Sequence, residues 1–347
     1  MAYIETLPLV ASPSVFGMHE NAKIASANNE TFTMFEICMS LQSNDGGSGG
    51  ASGERERMIE LAASDINAKI TAKGEFDIEA ISMLYPVVYE ESMNTVLIQE
   101  CIRYNKLIEI MIETLPMLIK ALKGLVVMSS ELEAIATSIA LNQVPKSWAS
   151  KAYPSMKPCS AWVTDLILRL QMVLDWIDQG IPKVFWISGF YFPQAFLTGS
   201  LQNYARKYKM PIDTVEFNFR MIKDKWEKLE KPKDGVYIRG LYLEGARYCD
   251  KEESVSASFP KQLYTDLPTI HLDPSQHRVA PKTGVYRCPV YKILSRRGVL
   301  STTGHSTNFI MWIELPSKRS NIQNNEGRAD SEEWIRAGVA AFGSLMY

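Results

Sequence analysis

Residues 185–208 read FWISGFYFPQAFLTGSLQNYARKY, an aromatic run that ends at Pro193 and passes straight into a helix start. The stretch divides two kinds of sequence. On its N-terminal side apolar residues recur at three- and four-residue steps, the spacing of amphipathic helices. On its C-terminal side, from Asp213 onward, Val215, Phe217, Phe219 and Met221 alternate with Glu216, Asn218 and Arg220, the period of a strand with one buried face. Helices followed by strands give an α+β fold: an N-terminal helical bundle, then a small antiparallel sheet or incomplete β-barrel.

Upstream, the longest pattern joins Met93, Leu97, Cys101, Tyr104, Ile108, Met111, Leu115, Leu118, Leu122 and Leu125 into one apolar seam. Such a seam suits packing within a bundle, the preferred reading, or an intermolecular coiled coil. Pro116 falls inside it and predicts a kink or break, because proline removes a backbone donor and crowds the preceding turn. Shorter helices are expected over 28–42, 54–72, 130–141, 160–179 and 193–208. The fourth of these places Asp165, Arg169 and Asp175 on its exposed side and stops at Gly180, with Pro182 beyond. In Ser43–Gly53, SNDGGSGGASG, eight of eleven residues are Gly or Ser, which reads as a flexible linker. Gly199, inside a helix, marks close approach of another backbone.

Downstream, 236–248, 269–272, 285–293 and 309–315 add β-rich runs, with Gly240 and Gly245 as bulge candidates. Residues 318–331 are polar and read as mobile, and 334–342 returns as a last strand or short helix. The domain boundaries drawn from these changes are 1–42, the linker 43–53, a helical region 54–142, a helical half 143–210 and a strand half 211–347.

Composition narrows the function. A net charge of −2 and a pI near 6.2 exclude nucleic acid as the main partner, since phosphate-backbone binding needs a concentrated basic face. Five cysteines without a CxxC or CxxxC pair fit reduced thiols in a cytosolic setting. No apolar run approaches the roughly 20 residues of a spanning helix, so no membrane insertion is expected.

The chemistry-bearing residues form no constellation. Neither a phosphate loop nor GxGxxG occurs, so no cofactor is expected in this chain. The four histidines, His19, His271, His277 and His305, lack metal-ligand spacing, so no metal is expected either. His271 and His277 flank Asp273 and Pro274 in what reads as a loop. The 301–307 segment, STTGHST, crowds hydroxyls around His305, yet has no orienting carboxylate and no nucleophile elbow; it reads as a turn. Trp186 with Phe190, Tyr191 and Phe192 reads as core. Arg287, Lys292, Arg296 and Arg297 read as solvated strand ends, and Asn21 in VFGMHENA as a helix cap.

Seven blocks, in order, resemble the C-terminal region of dynein heavy chains: VFGMHENA (15–22), YPVVYEESMNTVLIQE (85–100), KGLVVMSSELE (123–133), the aromatic stretch 185–208, PIDTVEFNF (211–219), DGVYIRGLYLEGARY (234–248) and LSTTGHSTNF (300–309). The resemblance implies that 1–140 or so closes the small subdomain of the sixth AAA+ module. The rest is then the C-terminal domain, a helical half and an incomplete barrel lying flat on the AAA+ ring. It implies a non-catalytic, regulatory and structural part, with ATP and Mg in the parent motor only. The implied partners are the ring of the same heavy chain, microtubules indirectly, and other dynein subunits; the implied place is an axoneme in a cilium or flagellum. Dynein heavy chains are many times longer, so a piece of a longer protein is implied. The signature residues it marks are Phe16, Gly17, His19, Asn21, Trp186, Gly189, Phe192, Pro193, Gln194, Thr198, Gly199, Gly304, His305 and Asn308. Two other functions remain open: a scaffold that binds peptide or acidic partners through the barrel, and a hydrolase using His305.

Overall fold

A computed structural model describes residues 6, 11–16, 18–42, 49–281, 284–296, 298–300, 304–317 and 329–346. The helices are α1 (Asn21–Gln42), α2 (Gly49–Lys73), α3 (Ile78–Leu84), α4 (Ser92–Leu122), α5 (Ser130–Ala140), α6 (Lys146–Ala149), α7 (Cys159–Gln179), α8 (Pro193–Lys207) and α9 (Ala329–Arg336). Three helices open on side-chain caps: Asp77 accepts from the Ala80 N–H, Glu91 from Met93 and Ser129 from Leu132. Helix α7 ends where Gly180 turns to φ +87°.

The long seam is helix α4, and Leu97, Cys101, Tyr104, Ile108, Met111, Leu115 and Leu118 are all fully buried within a single core. That places it in an intramolecular bundle with α2, α5 and α8. Two details differ from expectation. Pro116 does not break the helix, which runs unbroken to Leu122. Leu125 lies past the end and is exposed, so the seam stops with the helix.

Helix α1 begins at Asn21, earlier than the apolar pattern indicated, and leaves Met34, Phe35 and Ile37 exposed. Part of the stretch read as a linker, 49–53, is helical. Helix α2 starts at Gly49, within the Gly/Ser stretch, because a preceding helical turn can be extended by the strong helix formers that follow. Residues 43–48 lie outside the described residues, as do 318–328; α9 takes up 329–331.

The strands are β1 (Val184–Trp186), β2 (Val215–Ile222), β3 (Val236–Arg239), β4 (Tyr242–Glu244), β5 (Ala246–Cys249), β6 (Ser254–Ala257), β7 (Tyr264–Asp266), β8 (Thr269–Gln276), β9 (Val285–Tyr291), β10 (Phe309–Pro316) and β11 (Ala340–Phe342). They form sheets ordered β1-β3-β8-β2 and β10-β9-β11-β4-β7, with a β5-β6 hairpin. The incomplete antiparallel barrel is therefore corrected. Both larger sheets are mixed, because β1 runs parallel to β3 and β11 parallel to β9, and they are not closed on each other. Gly240 and Gly245, at φ +86° and +78°, cut 236–248 into three strands rather than bulging one. The supposed 271–277 loop is strand as far as Gln276, with His277 turning away at φ +50°: β8 pairs Phe217 with Pro274, where an edge-tolerant proline needs no ladder donor.

Candidate functional site

Where the helices meet the strands, the aromatic stretch wraps a buried polar centre. Glu100 of α4, only 1% exposed, accepts from the backbone N–H groups of Tyr191 (2.6 Å) and Phe192 (3.2 Å). Helix α8 has no side-chain cap of its own and opens on Pro193, so this carboxylate fixes the backbone as it enters the helix. Burial pushes the Glu100 carboxyl above the usual range, opposed by the Tyr191 N–H and then by Arg103. Two further bonds tie the blocks together. Tyr104 donates to the Gly189 carbonyl at 2.6 Å, and Gln194 donates to the Phe309 carbonyl of β10 at 2.8 Å.

Beside this carboxylate lies the largest departure from the sequence reading. Asp165 and Arg169 are not on an exposed face: they are 5% and 3% exposed and pair at 2.6 Å. Lys157 completes the arrangement at 3.0 Å from Asp165, and the Arg169 guanidinium lies 3.7 Å over the Tyr153 ring. Burial works to raise the Asp165 carboxyl, but Arg169 and then Lys157 outweigh it and hold it below the usual carboxylate range. Burial likewise works against the Arg169 charge, yet the oxygens of Tyr153, Tyr104 and Asp165 leave it more firmly protonated than usual. Asp175, by contrast, is exposed and accepts from Gln171.

The signature residues fall into three groups. Gly189 is buried and Trp186 half-buried: a Cβ at Gly189 would meet the Met172 sulfur at 2.5 Å, and a Cβ at Gly240 would meet the Trp186 ring at 2.3 Å. Phe192, Gln194, Thr198 and Gly199 line an open groove of about 680 Å³ between α4 and α8, walled also by Val87, Val88 and Tyr89. Gly199 lets the helices close there, since a Cβ would touch Ser92 at 3.3 Å. Phe192 is half exposed at the rim of this groove, with Arg103 5.4 Å and Lys292 5.9 Å from its ring. Pro193 starts α8 and is buried.

The remaining signature residues are scattered. Asn21 is buried and does not act as a cap. Its side chain donates to the Phe259 and Gln262 carbonyls and accepts from the Lys261 N–H, clasping a turn far along the sequence. His19 accepts from the Asn21 N–H, and Phe16 is exposed. His305 stacks on Phe309 at 4.6 Å, Asn308 donates to the Ser295 carbonyl, and Gly304 turns at φ +77°. Gly17, Arg297 and residues 301–303 lie outside the described residues. His271 pairs through Nε2 with the Asp234 carbonyl.

Among the described residues, no three His, Cys, Asp or Glu side chains gather as metal ligands, and no helix is long and apolar enough to cross a membrane. Burial pushes the Cys101 thiol up to about 12 and the Cys159 thiol to about 11, so neither is a nucleophile at neutral pH. Of the basic group, Arg296 pairs with Glu244, Arg287 lies over Trp312, and burial lowers the Lys292 ammonium.

The family model for the C-terminal domain of dynein heavy chains matches residues 28–343. Mouse dynein axonemal heavy chain 1 is 47% identical over 348 aligned residues, covering 100% of this chain and 8% of that protein. Human dynein axonemal heavy chain 3 is 47% identical over 99% of this chain and 8% of its own length; human dynein axonemal heavy chain 12 is 44% identical over 97% and 10%. The sequence thus spans a small part of the curated relatives it matches, and it belongs to the family defined by the C-terminal domain of dynein heavy chains.

Proposed function

We propose that this chain is the non-catalytic, regulatory and structural C-terminal portion of an axonemal dynein heavy chain. It packs on the AAA+ ring of the same heavy chain and modulates how ATP hydrolysis is coupled to movement along microtubules in a cilium or flagellum. ATP and Mg belong to the ring, and microtubules and other dynein subunits are reached through the parent motor.

The observation that carries this reading is the exposed apolar surface around the α4–α8 groove. Met83, Leu84, Val87, Val88, Tyr89 and Phe192 are all exposed, a cluster of the kind that marks an interface. Beneath it Glu100 accepts from the Tyr191 and Phe192 N–H groups and holds the entry of α8 in one geometry. A ring that changes state meets this fixed surface with more contact in one state than in another, and only such a difference biases the equilibrium. One aliphatic side chain buried in one state and free in the other contributes about 1.5–3 kcal/mol, roughly a tenfold or larger shift.

The test is microtubule-stimulated ATPase and gliding velocity of the parent motor in three forms: intact, lacking residues from Lys146 onward, and carrying Val87→Asp with Tyr89→Ala. Altered coupling in both modified motors, with no nucleotide bound by the isolated domain, supports the reading. Unchanged motors, or stoichiometric ATP binding by the isolated domain, overturn it.

A further inference from the structure

A second open groove, about 640 Å³ in volume, runs along β1 and takes no part in the centre described above. Its walls include Leu168 and Trp176 of α7, Trp186 of β1, Trp226 and Leu229 of the β2–β3 connection, and Arg239 of β3. Trp186 and Arg239 are register partners in the parallel β1–β3 pair, so they lie on the same face of the sheet. Leu168 and Trp226 are exposed at the rim, which leaves an aromatic-lined slot open to solvent.

Two features go beyond apolar walls. First, the unpartnered polar groups are all donors. The Trp176 indole N–H is buried, on a side chain only 2% exposed, and has no hydrogen-bond partner among the described residues. The Nε–H of Arg239 is also buried without a partner there, and the guanidinium forms no ion pair with a described carboxylate; it rests 4.1 Å over the Trp226 ring. The nearby carboxylates answer it only in part: Asp175 takes the Gln171 amide, and Glu227 acts on the Arg239 charge through space without forming an ion pair or hydrogen bond to it. A buried donor left unsatisfied is costly, so the complement of this slot is a group that accepts hydrogen bonds and carries negative charge. Burial disfavours the Arg239 charge by more than Glu227 supports it, a balance that an incoming carboxylate would improve.

Second, β1 is an edge strand. It pairs with β3 on one side, and among the described residues no strand pairs with its other edge. Three residues of free edge complement an extended peptide of about the same length, a backbone pattern that a small molecule lacks.

We propose that this groove docks an extended, acidic and apolar segment of a partner protein. The segment adds its backbone to the free edge of β1, lays an aliphatic side chain against the Leu168 and Trp226 rim, and sets a carboxylate on Arg239. The proposal is independent of ring packing and is tested on this domain with no ring present.

The probes are three labelled heptapeptides, Ser-Xaa-Val-Xaa-Val-Xaa-Ser, with Xaa as Glu, Gln or Lys, followed by fluorescence polarisation. The Glu peptide is expected to bind at least tenfold tighter than the Gln peptide and the Lys peptide not at all. Arg239→Gln abolishes the Glu-over-Gln preference. Trp226→Ala weakens the Glu and Gln peptides by a similar factor. Hydrogen exchange at 184–186 slows when the Glu peptide is bound. Should Arg239→Gln fail to fold, the wild-type peptide series, Trp226→Ala and the exchange measurement still decide. No binding, equal binding of Glu and Gln peptides, a preference that survives Arg239→Gln, or unchanged exchange at 184–186 overturns the proposal. So does free hydrocinnamate displacing the Glu peptide with equal affinity, which would make this a small-acid pocket.

Discussion

Replacing Arg169 by Met isolates what the buried centre contributes. The thioether fills much of the space left by the arginine stem, so the change removes charge more than volume. Lost are the 2.6 Å bond to Asp165, with both ends buried, and the stacking over Tyr153 at 3.7 Å. Breaking a buried pair on one side costs about 3–5 kcal/mol, because the other charge stays desolvated. Lys157 remains 3.0 Å from Asp165 and answers part of that charge, which sets the expected loss near the lower end, about 3 kcal/mol at neutral pH.

The pH dependence separates this account from a simple packing loss. In the unmodified protein the Asp165 carboxyl is held below its ordinary range, so its stabilisation is complete above that range and is lost as pH falls through the folded value. Without Arg169, burial dominates and the carboxyl rises; acid then neutralises it and removes the desolvation cost. The deficit of Arg169→Met should therefore shrink to about 1 kcal/mol near pH 4.5. Pairing it with Asp165→Leu removes both charges and should bring the loss at neutral pH to within about 1.5 kcal/mol of the unmodified protein. Urea denaturation followed by tryptophan fluorescence reads all four states. A neutral-pH loss below about 1 kcal/mol, a deficit that does not narrow in acid, or a double variant worse than either single one refutes the reasoning.

Other perturbations test the surrounding contacts. Gly240→Ala adds a Cβ 2.3 Å from the Trp186 ring at a φ of +86°, so a loss of at least about 2 kcal/mol and an altered tryptophan emission spectrum are expected. Asn21→Ala removes three hydrogen bonds to the 259–262 turn, where Lys261 sits at φ +68°; stability should fall by about 1–3 kcal/mol, with faster amide exchange at Lys261. For Glu100 the sign is opposite to that of Asp165. Its folded carboxyl is raised, so the unmodified protein is favoured in acid and loses that advantage as pH rises through the carboxylate range toward the folded value; over that interval Glu100→Gln should gain relative to it in chemical denaturation.

Periodicity carries most of the fold. The α4 seam and the alternation in β2 each repeat one signal over many residues, and a single exception such as Pro116 cannot outweigh a buried face of that length. The strand half is less legible because its strands are short and joined by positive-φ glycines, so parallel pairing of β1 with β3 has no local signature. Asp165 and Arg169 mislead because an i,i+4 acid–base pair on a helix is usually solvated. One signal is present. At 100° per residue, taking Trp162 as zero, Asp165 falls at about 300° and Arg169 at about 340°, and Trp176 lies between them near 320°. A buried tryptophan flanked by two charges on the wheel implies that those charges are buried with it.

The location of these charges bears on how the surface is presented. Glu100 spends its carboxylate on two consecutive backbone N–H groups, and the second belongs to Phe192, the aromatic residue at the rim of the α4–α8 groove. Pro193 follows directly and restricts the conformation of Phe192 further. An exposed aromatic held in this way has little freedom left to lose when a partner covers it, whereas a mobile side chain would forfeit about 0.5–1.5 kcal/mol on ordering. The buried charges thus act at a distance from any contact: they convert the conformational entropy that an interface would otherwise cost into a cost met once, during folding. Weakening the Glu100 clasp should accordingly lower affinity for whatever covers Phe192 while leaving every surface residue in place.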